Sequence, residues 1–161
     1  MERLRIEECG TQAEAWTPVA MHLLREEDGV TLAEADAPWF GSHCLILRRA
    51  AAELIEPLTA GQAELLPLIC DDADLWLLHA IECRDALDPD ESDLVRFSAG
   101  RIMTVRKHVF DPKALRGARC FRDSKTPRGP LYLAGDVVDV LLDAGISGFH
   151  PKLVWEDPRP R

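Results

Sequence analysis

No apolar run in this 161-residue chain approaches the roughly 18 residues needed to span a bilayer, which excludes a membrane-spanning helix as the expectation. The start, M-E-R-L-R-I-E-E-C-G, lacks the basic stretch and apolar core of a secretory signal, and a cytoplasmic protein is expected. Cysteine is sparse and odd in number: Cys9, Cys44, Cys70, Cys83 and Cys120 lie scattered, with no C-x-x-C pair. That spacing speaks against a disulfide framework or a closed zinc site, and a reducing compartment fits free thiols. Internal repeats, low-complexity blocks and Gly/Ser/Pro-rich linkers are also missing. One domain over residues 1–161 follows, with an N-terminal helix and loop in 1–41 and the main body in 42–155. A chain of this length buries roughly 70% of its unfolded surface, and 47% hydrophobic residues suffice for a core.

Charge is present but unevenly divided. The net of −9 conceals 21 Asp+Glu against 6 Lys+Arg in residues 1–93, and 7 against 13 in residues 94–161. An acidic half suits a basic partner surface, and a basic half suits an anion or pairing between the halves.

The periodicity points to α+β, with a single mostly antiparallel sheet and short helices. Residues 17–27 suggest a helix, with Thr17 as N-cap, Pro18 in the first turn, and Val19, Leu23 and Leu24 at helical spacing. R-R-A-A-A-E-L-I-E favours a second helix until Pro57 stops it. Residues 64–70 form a strand whose Pro67 argues for an edge or for the start of pairing, and 75–83 form another. Ser98, Ala99 and Gly100 join two alternating runs into a hairpin, with Met103, Val105 and Val109 on one face. Short strands follow at 118–123 and 131–134. Asp136 is placed to cap a helix that Gly145 ends, and a last strand occupies 149–155.

Several of these pieces occur in a fixed order: E-L-L-P-L at 64–68, D-x-L-D-x-x-x-S at 85–92, V-F-D at 109–111, Phe121-Arg122, a Tyr-containing strand at 131–133 and G-I-S-G-F at 145–149. In this order the chain resembles the bacterial immunity-protein-eleven family over roughly residues 42–155. The stretch before residue 40 departs from the family pattern. The resemblance implies a non-enzymatic protein that protects a cell by binding a cognate toxin encoded beside it. It implies no cofactor and no membrane partner.

Candidate contact residues are judged on chemistry. The carboxylates Asp71, Asp72, Asp74, Asp88, Asp90 and Glu91 cluster in two turns, and an acidic face would speed encounter with a basic partner. They lack the glycine and bidentate glutamate of a calcium loop. Trp39-Phe40 follows Pro38 in a loop, and tryptophan is enriched where binding energy concentrates. The five histidines form neither H-x-x-x-H nor H-E-x-x-H, and His43 and Cys44, adjacent in a strand, face opposite ways. Residues 96–128 hold ten basic residues against two acidic ones, with Phe97, Phe110 and Phe121 interleaved. The alternative function is therefore nucleic-acid binding through this strip.

Overall fold

The computed structural model describes residues 9–41 and 43–158. Residues 1–8, at the head of the expected N-terminal region, lie outside them. The chain is an α+β protein, with two short helices and mostly antiparallel strands among the described residues. The sequence suggests one sheet, but the described strands divide among four small ones.

At the centre, β3 (Leu45–Arg48), β5 (Leu75–Ala80) and β4 (Ala63–Leu68) form a three-stranded sheet with β5 in the middle. Side chains alternate across it. Leu47, Leu78 and Ala80 point into one core, which α1 (Arg49–Ile55) and α2 (Gly135–Asp143) cover with Ala51, Ala52, Ile55, Val137 and Leu141. Ile46, Leu66, Leu68, Leu75 and Leu77 point the other way, into a second core. Burial on both faces explains why the β5 segment is an unbroken apolar run rather than an alternating one. Pro67 lies on the edge strand β4, where its missing N–H costs no ladder bond.

Among the described residues no helix covers the second core. Residues 17–27, expected to be helical, instead run extended along β4: Ile69 N donates to Val19 O (2.9 Å) and Met21 N to Ile69 O (2.7 Å). Val19, Met21 and Leu23 alternate inward onto Leu66, Leu68 and their neighbours, with Ala20, His22 and Leu24 outward. The apolar spacing satisfies period two better than 3.6, and an edge strand offers the backbone partners that an isolated short helix lacks. This segment turns into the small hairpin β1 (Glu26–Glu27) and β2 (Val30–Thr31).

The 75–83 run likewise splits. After β5 the chain leaves the sheet, and β6 (Cys83–Arg84) pairs in parallel with β9 (Cys120–Asp123), which in turn pairs with β10 (Tyr132–Leu133). The hairpin β7 (Asp93–Arg96) and β8 (Ile102–Lys107) forms around Ser98–Gly100 as the turn residues require. Two bulges interrupt it: Val95 faces Thr104 while Arg96 faces Ile102. Met103 is the extra residue between them and is exposed, so it does not share Val105's face as strict alternation would have it. A third core joins Leu87, Phe110, Phe121 and Tyr132, with the Trp155 ring 5.9 Å from that of Phe110.

Asp136 is not the α2 cap. That position belongs to Ala134, and Asp136 sits in the first turn, where its carboxylate pairs with Arg119. The other end behaves as the sequence suggests. Ile146 N donates to Leu141 O and Gly145 N to Leu142 O, closing the turn with Gly145 at φ 70°. Residues 149–155 form no strand, and Phe149 and Trp155 are held by packing alone.

The cysteines correct a further expectation. Cys9 and Cys83, 74 residues apart in the chain, form a disulfide with Cα atoms 5.6 Å apart. Cys44, Cys70 and Cys120 are free. Chain folding, not spacing, brings the two half-cystines together.

Candidate binding surface

The 85–92 turn, the 109–111 stretch and the strand at 120–123 meet in space, and they do structural work. Asp123 is fully buried; its carboxylate accepts from Ala86 N (3.0 Å), Leu87 N (2.7 Å) and Lys125 N (2.9 Å). It thereby holds the start of the 85–92 turn. At the end of that turn the Ser92 hydroxyl accepts from Val109 N at 3.0 Å, and Asp88 N donates to Val109 O at 2.8 Å. The 85–92 turn and the 109–111 exit are thus zipped into one unit. The side chains of Asp123 and Ser92 are consumed in this way and are not available to a partner.

The loop at 38–41 is the strongest candidate. Trp39 is 82% exposed and Phe40 46% exposed, although both are large and apolar. The loop is anchored on both sides. Upstream, Asp36 accepts from Ser147 N (2.9 Å) and Ser147 Oγ (2.6 Å), which holds its carboxyl below the usual range. Ala37 N donates to Ser147 O (2.9 Å) and Arg48 N to Asp36 O (2.7 Å). Downstream, the buried Arg122 guanidinium donates to His43 O at 2.5 Å and to Gly129 O at 2.6 Å. An aromatic pair presented on an anchored loop loses little freedom when a partner covers it. Sequence reasoning reached Trp39 and Phe40 but not Arg122. A single arginine in a strand carries no sign that it will be buried.

The acidic residues sit in two separate turns. Asp71, Asp72 and Asp74 lie in the β4–β5 turn, whereas Asp88, Asp90 and Glu91 precede the β7–β8 hairpin in a different sheet. Asp72 pairs with Arg25 (3.3 Å) and Asp74 with Arg49 (2.5 Å). Arg25 also reaches Glu34 (3.5 Å), which pairs with Arg48 (3.1 Å). Asp88 turns inward to accept from Asp90 N (2.9 Å) and Glu91 N (3.1 Å). Asp71, Asp90 and Glu91 keep exposed carboxylates outside these ion pairs.

The basic strip is divided in the same manner. Arg119 pairs with Asp136, Lys125 with Asp85, and Arg122 is buried. Arg96, Arg101, Arg106 and Lys107, all exposed on the β7–β8 hairpin, enter no ion pair among the described residues. The Arg101 guanidinium lies 5.6 Å over the exposed Phe97 ring.

The titratable groups are placed as structural ones. Burial pushes the Cys44 thiol up, away from nucleophilic reactivity, and pushes Cys120 up to about 12. Burial lowers His79, whose Nε2 donates to Gly10 O at 3.1 Å. Burial likewise lowers His108, 3.1 Å from the Tyr132 hydroxyl, and raises Tyr132 to about 12. A cleft of about 390 Å³ opens beside the α1–β4 turn, but the Thr59 hydroxyl on its wall is already committed to Ile55 O. Among the described residues no three His, Cys, Asp or Glu side chains converge to hold a metal ion, and no helix is long and apolar enough to cross a membrane. Comparison of the chain with known protein families and with characterised proteins yields no match.

Proposed function

We propose that this protein is a non-catalytic immunity protein that neutralises a cognate bacterial toxin in the cytoplasm by binding it directly. The role is the one implied by the resemblance to the immunity-protein-eleven family. The observation that supports a binding role is the anchored loop with Trp39 82% exposed. Burying that ring against a partner removes a large apolar surface from water at small entropic cost. Asp71, Asp90 and Glu91 add negative charge that steers a basic partner toward the surface. The test is co-purification with the product of the neighbouring reading frame, together with rescue of growth. Trp39→Ala then weakens the complex about 30-fold or more in calorimetry, with circular dichroism unchanged. Full affinity in the variant removes the loop from the interface, and absence of both co-purification and rescue removes the function.

The hairpin favours a second reading, nucleic-acid binding. A two-stranded ribbon with four exposed cations that enter no ion pair among the described residues, and with the Arg101 guanidinium over the Phe97 ring, suits a phosphate backbone and an unstacked base. This reading confines the contact to 93–107 rather than the whole 96–128 strip. It predicts retardation of a thymidine oligonucleotide at low salt, abolished by Arg101→Glu with Arg106→Glu. Equal mobility with and without the protein at low salt excludes it.

A further inference from the structure

We infer that residues 9–24 are a redox-latched strap, hinged at the β1–β2 hairpin and locked by the Cys9–Cys83 disulfide over the second face of the central sheet. The inference stands apart from the proposed function. The strap is a cover without regular secondary structure: Trp16, Val19, Met21 and Leu23 lie on the apolar face formed by Ile46, Leu66, Leu68, Leu75 and Leu77. Helices cover the opposite face of the same sheet, and on this face the strap supplies most of the packed cover among the described residues.

Its attachments are few and graded along its length. At the middle, the parallel bridge to Ile69 holds Val19 and Met21. Trp16 Nε1 donates to Pro67 O at 2.7 Å. Near Cys9, Thr11 Oγ1 (2.7 Å) and Gln12 N (2.5 Å) donate to Glu64, and Gly10 N donates to Ile81 O at 2.7 Å. Gly10 O accepts from His79, whose Nδ1 is buried without a hydrogen-bond partner. All these contacts are polar or shallow, and most strap residues are half-buried or exposed. The covalent link at Cys9 is what keeps the end in place.

The latch is accessible, since Cys83 is exposed and Cys9 half-exposed. A dithiol reductant opens it in two exchanges. Its thiolate attacks Cys83 Sγ and displaces the Cys9 thiolate, which takes up a proton. The second thiol of the reductant then displaces Cys83. Two electrons pass to the protein, giving two cysteine thiols, and the reductant leaves as its own disulfide. A compartment's redox poise therefore sets how often the strap is open.

Hydrogen exchange on the full chain, with and without dithiothreitol, tests this. Reduction accelerates exchange at Met21 and Ile69 by about tenfold or more, while Val137 and Leu141 in α2 stay protected. Cys83→Ser reproduces the reduced pattern without reductant, and Trp16 emission shifts to the red in both. Equal protection in oxidised and reduced protein overturns the inference. So does alkylation of all five cysteines under oxidising conditions. Acceleration spread evenly over α2 as well means global loosening and also overturns it.

Discussion

Replacing Arg122 with methionine lowers the unfolding free energy by about 2–5 kcal/mol, read as a shift of the urea midpoint. Methionine fills much of the arginine's volume, so the loss reports the polar contacts rather than a cavity. The His43 and Gly129 carbonyls, now bonded to the guanidinium at 2.5 and 2.6 Å, lose charged donors. Water cannot readily replace those donors, because Arg122 is only 2% exposed. Arg122→Lys recovers little: an ammonium is a compact point charge and cannot reproduce a fork that spans two carbonyls. Both variants free the downstream anchor of the 38–41 loop, because the bond to His43 O is lost. A midpoint unchanged in Arg122→Met means that these bonds contribute nothing net.

Gly148→Ala costs about 2–4 kcal/mol, and Gly145→Ala only about 1–2 kcal/mol. Both glycines have positive φ, 76° and 70°, so a Cβ meets the same left-handed backbone penalty at each. The surroundings differ. A Cβ at Gly145 meets nothing within 4 Å, whereas one at Gly148 falls 2.6 Å from Ala37 O and 2.7 Å from Ala35 Cβ. Ala37 is itself buried and bonded to Ser147 O, so it cannot retreat without breaking the upstream anchor of the same loop. Urea midpoints for the two alanine variants measure the difference. Equal shifts would show that conformation alone matters and that the 35–37 segment moves freely.

Local chemistry was legible where short-range forces decide. Pro57 and the alanine run bound α1, Ser98–Gly100 makes the hairpin, Pro67 sits on an edge, and Gly145 ends α2. Each depends on the residue's own backbone preference or on neighbours a few positions away. The 17–27 segment shows where that reasoning stops. Thr17, Pro18 and the leucines satisfy a helix locally, but Ile69, far along the chain, offers both backbone partners to Val19 and Met21. Tertiary pairing overrides propensity there.

The candidate site divides along the same line. Trp39 and Phe40 stand out in the sequence as large aromatics beside a proline, and both are exposed in the structure. That Asp72 and Asp74 are answered by Arg25 and Arg49, that Arg122 and Asp123 are buried, and that Cys9 bonds Cys83 depends on approaches across 25 to 79 residues of chain. The sequence alone determined the fold class, the end of each helix, the hairpin turn and the charge division, because these are properties of composition and adjacent residues. Only the tertiary structure decided which charges are neutralised, which cysteines pair and which face the N-terminal strap covers. Those outcomes turn on distances between residues that the chain does not place side by side.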